Sequence, residues 1–171
     1  MMSAILMQII IYKNLPAIRQ FSKGLASLNL LDVCKANIGC MLPLFSSPIL
    51  PVSKKSFREL LEIQFSPEGS NAREEEEASA LCWEEYIDTI ACEESAVSLE
   101  ELLIFITGCK TIPPLGLPKK IMVKFYKEMG RLPSTSTCAL EIYIPSGIDD
   151  FHEFERQMHR ALKESHGFGK V

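Results

Sequence analysis

The chain has 171 residues and a mass of 19.2 kDa, room for one domain or for two small lobes. Its composition, 47% hydrophobic and 23% charged with ten prolines, nine glycines and six cysteines, excludes disorder, collagen-like repeats and a disulfide-dense mini-scaffold. A net charge of -4 and a pI near 5.5 argue against a nucleic-acid-binding domain of the usual basic kind.

The charge is unevenly placed. Residues 1–58 carry seven Lys/Arg and one acid, Asp32. Residues 59–101 carry fourteen acids and one base, Arg73, and residues 102–171 carry ten bases and seven acids. An acidic middle between mildly basic ends points to internal charge complementarity or to a solvated acidic helix face.

The opening run MMSAILMQIIIY is apolar but lacks a charged leader and a small-residue cleavage site. It is also well short of the ~20 residues that span a bilayer, so no membrane partner is expected. Cys34, Cys40, Cys82, Cys92, Cys109 and Cys138 show no CxxC spacing. Reduced thiols in the cytoplasm, the nucleus or both are the resulting expectation. An apolar start with no polar lead-in suggests that residue 1 does not open a natural domain.

In chain order, residues 4–12 read as a short buried strand or helix. Pro16 starts a helix whose Ile18, Phe21, Leu25 and Leu28 bury one face, and Asn37 and Gly39 stop the following apolar patch. Residues 43–55, with Pro43, Pro48 and Pro51 among serines, read as a semi-extended connector or hinge. Ser56 to Gln64 reads as a short helix, and residues 66–71 as a turn. Asn71 and Glu74 then cap a long helix with Ala78, Leu81, Cys82, Tyr86, Ile87, Ile90 and Ala91 on its apolar face and Trp83 in the core. Ser98 and Glu101 cap the next helix, which Gly108 ends.

Beyond the prolines at 113, 114 and 118, Ile121, Val123 and Phe125 alternate as a half-buried strand. Leu140, Ile142 and Ile144 alternate likewise, with Glu141 and Tyr143 facing out and Pro145 ending the run. Asp150 caps a last helix burying Phe151, Phe154, Met158, Ala161 and Leu162, closed by Gly167. Helices first, then two strands and a helix, make an α+β pattern.

Phosphate-loop, dinucleotide, zincin and nucleophile-elbow motifs are absent. His152, His159 and His166 recur every seven residues, which on a helix is about 10.5 Å, too far for two of them to share an ion. Cys34 and Cys40 have no His nearby and read as structural thiols. No metal and no organic cofactor is expected. Cys138 stands apart: it follows the polar run LPSTST (132–137), read as flexible, and precedes the strand LEIYIP. A thiol at a loop-to-strand junction is held by the sheet yet reachable from solvent, as a nucleophile must be.

Three pieces in order, LLIFITGCKTIPPLGL (102–117), LPSTSTC (132–138) and GFGKV (167–171), resemble the C-terminal half of the HECT family of ubiquitin-protein ligases. Thr107-Gly108, Pro113-Pro114, Leu132-Pro133, Thr137-Cys138 and Ile144-Pro145 match that family's motifs in type, order and spacing, and Phe168 matches its phenylalanine near the carboxyl end. QFSPEGSN with CWEEYI (82–87) resembles the start of the C-terminal lobe, and LPAIRQFSKGL (15–25) resembles a late helix of the N-terminal lobe. The flavour is that of the divergent branch with the G2/M-phase-specific HECT ligases. Where the family usually has His before Thr-Cys, Ser136 stands; where it often has Phe-Asn after the cysteine, Ala139 and Leu140 stand.

The resemblance implies a HECT-like C-terminal lobe over 56–171, a small sheet with flanking helices, preceded by a helical remnant of the N-terminal lobe over 1–50 with the connector at 43–55. It implies a transferase in which Cys138 takes ubiquitin from a ubiquitin-conjugating enzyme as a thioester and passes it to a lysine of a protein substrate. Thr137 and nearby amides are then candidate oxyanion donors, and Phe168 a candidate aid to the second step. Thr107 and Pro113-Pro114 are read as structural. The resemblance covers the later part of a HECT domain, so the subdomain that docks the conjugating enzyme is expected to be missing. The alternatives are a non-catalytic lobe that binds ubiquitin or a partner ligase, and a nonfunctional truncated product.

Overall fold

The computed structural model describes residues 11–46 and 51–165. They fall into two units, Met1–Pro48 and Ile49–Val171.

In the first unit, α1 (Leu15–Ser27) begins with Pro16 in its first turn, where the missing amide is no loss. Asn29, in the left-handed conformation, turns the chain into α2 (Leu30–Ala36), and α3 (Ile38–Ser46) follows directly. None of these helices has a buried residue. The face expected to be buried is open: Ile18, Phe21 and Leu28 are exposed and Leu25 is half-buried. Helical spacing aligns apolar residues on one side, but burial needs a facing surface, and three helices of 13, 7 and 9 residues supply little of it. The run expected over 4–12 lies outside the described residues as far as residue 10, and Ile11 and Tyr12 are exposed.

The expected extended connector is also corrected in part. Pro43 sits inside α3, and Gly39 lies in it rather than stopping it. A proline removes one ladder bond from a helix without preventing the turns on either side. At the other end, Lys54–Arg58 forms α4, begun by a reciprocal Ser53–Ser56 capping box. Its Phe57 is fully buried.

The second unit carries the core. After α4 come β1 (Leu61–Ile63), α5 (Asn71–Ala91), α6 (Leu99–Thr107), β2 (Ile121–Tyr126), β3 (Ser134–Ser136), β4 (Glu141–Pro145) and α7 (Phe151–Ser165). The strands form one sheet in the order β1-β2-β4-β3. β1 and β4 each run parallel to β2, with Ile63 opposite Val123 and Val123 opposite Ile142, and β3 runs antiparallel to β4. This is the mixed helix-and-strand arrangement that the sequence pattern predicts, a small sheet with flanking helices as the family resemblance implies.

Two strands are missed by the pattern. Residues 61–63 belong to a strand rather than to a helix over 56–64, because the Ile121 amide bonds the Leu60 carbonyl at 2.7 Å and the Gln64 amide bonds the Val123 carbonyl at 2.9 Å. Residues 134–136, read as loose, are β3.

Ile121, Val123, Ile142 and Ile144 point from the sheet into a core shared with Trp83, Tyr86 and Ile87 of α5, Leu102, Leu103 and Ile106 of α6, and Phe154, Met158 and Leu162 of α7. On α5 the buried face is largely the expected one: Cys82, Tyr86, Ile87 and Ile90 are buried, as is Trp83, and the exception is Leu81, which is 73% exposed. The cap of α5 is Ser70, which accepts from the Arg73 amide, and not Asn71. The acidic middle is partly paired within the unit: Arg58 bonds Glu84 (2.5 Å) and Asp88 (3.0 Å), and Lys54 bonds Asp88 (2.8 Å). Exposed pairs of this kind add little, so the seating of α4 rests on Phe57.

Candidate functional site

The site is built from α6 upward. The Ser98–Glu101 capping box starts this helix, and Gly108 at φ +75° ends it, its amide bonding the Ile104 carbonyl at 2.8 Å. Thr107 donates to the Leu103 carbonyl (2.8 Å) and accepts from the Cys109 amide (3.0 Å). That diverts the Cys109 amide from Phe105, whose carbonyl is one of the helix's last four and needs an outside donor. The Thr135 hydroxyl supplies it at 2.8 Å. Pro113 and Gly116 close a tight turn, Gly116 amide to Pro113 carbonyl at 2.7 Å, with Gly116 at φ +75°. Thr107 and the Pro113 turn thus have the structural roles expected of them.

β3 then enters a hairpin. Ser136 faces Glu141 as its last pair, and residues 137–140 make the turn, with the Leu140 amide on the Thr137 carbonyl at 3.3 Å. Cys138 is the second residue of this turn and is exposed, as is Thr137 beside it. The turn closes on Leu140, which is only 6% exposed and has φ +50°. A leucine seldom adopts this left-handed conformation, whereas asparagine does so readily. Leu140 meets this backbone demand and uses its side chain as a plug in the core, while its carbonyl accepts from the Met122 amide at 2.9 Å.

Charged and phenolic groups line the open face of the sheet beside the hairpin. Lys124 of β2 bonds Glu141 of β4 at 2.6 Å, and the Tyr143 hydroxyl donates to the same carboxylate. The bond from Lys124, then that from Tyr143, hold the Glu141 carboxyl below the usual carboxylate range, and Lys119 adds to this. The same bonds to Glu141 push Lys124 and Tyr143 upward. Arg131 lies over the Tyr126 ring with its guanidinium carbon 4.6 Å from the centroid, and Tyr126 donates to the Arg131 carbonyl at 2.8 Å. Burial pushes the Tyr126 phenol up to about 12, against the pull of Arg131.

The structure therefore brings Thr137 and Cys138 together on one exposed turn, and Phe168 lies outside the described residues. The Thr135 anchor, the left-handed backbone of Leu140 and the Glu141 network escape sequence reasoning, whereas the burial of Leu140 follows the predicted alternation. Only the alternation of Ser134, Thr135 and Ser136 hinted at a strand, and its polarity hid it. Among the described residues no group of His, Cys, Asp or Glu could hold a metal ion. His159 instead bonds Ser95 at 3.0 Å and packs on Tyr86. Also among the described residues, no helix is long and apolar enough to cross a membrane.

Comparison with known proteins bears on this hairpin. The chain is 28% identical over 116 residues to the G2/M phase-specific E3 ubiquitin-protein ligase of Gallus gallus, a match that covers 68% of this chain and 15% of that protein. The profile of the HECT-domain (ubiquitin-transferase) family matches residues 79–171, more than half of the chain, from within α5 through the Cys138 turn and α7. By that match, the chain belongs to the HECT-domain family.

Proposed function

We propose that this protein is the C-terminal lobe of a HECT-type ubiquitin-protein ligase, residues 56–171, joined to a part of the N-terminal lobe over residues 1–50. Cys138 is its acceptor of ubiquitin. As thiolate, its Sγ attacks the carbonyl of ubiquitin's last glycine in the thioester carried by a conjugating enzyme. A new C–S bond forms, and the conjugating enzyme's cysteine leaves as thiolate. A substrate lysine amine then attacks the new thioester, loses a proton, and restores Cys138. Thr137 and the amides of the turn are assigned to the oxyanion, and Phe168 to the second transfer. The reading places the protein in the cytoplasm or nucleus, where its six free thiols stay reduced.

The observation that supports this reading most directly is the exposure of Cys138 on a turn whose two strands are fixed, one by Thr135 to α6 and the other between β2 and β3. An acyl acceptor needs both properties: access for a peptide tail, and a sulfur that does not wander. Family membership supplies the chemistry. Incubation of the chain with a ubiquitin-loaded conjugating enzyme, quenched without reductant, is expected to give a ubiquitin adduct that thiols remove and that Cys138→Ala abolishes. If no such adduct forms in a chain extended to full HECT-domain length, and ubiquitin nevertheless binds, the lobe is a ubiquitin-binding module and the transferase reading is wrong.

A further inference from the structure

Ser66 lies between β1 and α5 and is followed by Pro67, with Gln64, Pro67, Glu68 and Gly69 exposed around it. Its amide and its hydroxyl both donate to the Glu76 carboxylate, each at 2.6 Å. Glu76 is on the second turn of α5 and only 8% exposed. Arg73 completes the cluster. Its guanidinium stacks on Phe65, 4.0 Å from the ring centroid, and bonds Glu77 (2.5 Å) and the Ser66 carbonyl (3.4 Å). One serine thus latches the segment before α5 to a buried carboxylate.

The latch is vulnerable to one chemical change. A phosphate on the Ser66 oxygen removes the hydroxyl donor and sets a charge of about -2 against Glu76. The following proline, with φ fixed and no amide, is the feature by which proline-directed protein kinases select serine. The irregular backbone of residues 64–67 and the exposed residues on either side of Ser66 offer such an enzyme an extended segment.

We propose that Ser66 is a phosphorylation site for a proline-directed kinase, and that its modification opens the segment between β1 and α5. The kinase transfers the γ-phosphoryl group of ATP to the Ser66 Oγ. The new O–P bond forms as the bond to the bridging oxygen breaks, ADP leaves, and the hydroxyl proton is released. The dianion repels Glu76 from the turn, and Arg73 exchanges Glu77 for the phosphate. β1, three residues at the sheet edge paired with β2, loses the anchor that follows it.

The test treats the 171-residue chain with ATP and a proline-directed kinase, maps the modified residues by mass spectrometry, and follows amide hydrogen exchange over residues 61–76. Phosphate is expected on Ser66, absent in Ser66→Ala, with the amides of 61–70 exchanging about tenfold faster. In Glu76→Gln, phosphorylation is expected to accelerate exchange less, since the repelled charge is gone. A chain left unmodified at Ser66, whether or not the other Ser-Pro serine at Ser47 reacts, overturns the proposal. So does a phosphorylated chain whose 61–70 amides exchange no faster, or an equal acceleration in Glu76→Gln.

Discussion

The Thr135 hydroxyl donates to the Phe105 carbonyl at 2.8 Å, fastening the strand that runs into Cys138 to the helix on which it packs. Phe105 carries one of the last four carbonyls of α6, and the Cys109 amide that follows the helix is bonded to Thr107 instead, so the donor comes from outside the helix. Thr135→Val keeps the shape and the strand preference but strands that carbonyl. A loss of about 1–2 kcal/mol is expected, read as a lower urea midpoint with an unchanged slope. Amides of 134–140 should also exchange faster, while those of α7 should not.

Leu140 combines burial with a left-handed backbone, and this reverses an ordinary ranking. Leu140→Ala loses the plug and keeps the strained φ, at a cost of about 2–4 kcal/mol. Leu140→Gly loses slightly more side chain but relieves the backbone, so it should be the more stable of the two by about 1 kcal/mol. Urea unfolding of the two variants side by side decides the order; alanine above glycine would mean that the turn does not hold Leu140 at positive φ.

Glu141 makes stability depend on pH in a defined window. Its pKa is lowered from the ordinary 4.5, so the native state holds the charged form more tightly than the unfolded chain does. The contribution is complete above 4.5 and is lost as pH falls through the lowered value. Lys124, raised from 10.5 by the same bond, contributes below that value and loses its contribution as pH rises through the raised one. Glu141→Gln should therefore be destabilised relative to the parent near neutral pH, and the two unfolding midpoints should converge in acid.

Tyr86 and Trp83 test the core in opposite directions. Both are fully buried, and neither the Tyr86 hydroxyl nor the Trp83 indole nitrogen has a protein hydrogen-bond partner among the described residues. Burial, followed by the charges of Glu155 and Glu101, drives the Tyr86 phenol strongly upward. Tyr86→Phe keeps the ring contacts with Phe154 and His159 and removes the unpaired hydroxyl; a gain of up to about 1 kcal/mol is expected. Trp83→Ala empties the middle of the core, and a loss of about 3–5 kcal/mol is expected in the same measurement.

Information carried within a few residues was readable directly. The Ser98–Glu101 box, the Gly108 stop, the Asp150 cap of α7 and the alternation in β2 and β4 each depend on neighbours in sequence, and each is where local chemistry puts it. Cys138 was legible for the same reason: a polar run ending at a strand places the thiol at a turn whatever lies beneath it. Phe57, Leu60 and Leu61 satisfy a helix as well as a strand, and only the pairing of Leu61 with Ile121, 60 residues away, decides between them. Thr135 likewise becomes a strand residue by facing Ile142 and by meeting Phe105. Sequence by itself determined the ends of α6, the start of α7, the inward stripes of the central strands and the place of Cys138 on an exposed turn. Tertiary structure alone decided the edge strands, the exposure of Leu81 on α5 and the positive φ with which Leu140 closes the turn, because burial and strand pairing are properties of two surfaces that meet and no single segment specifies its partner.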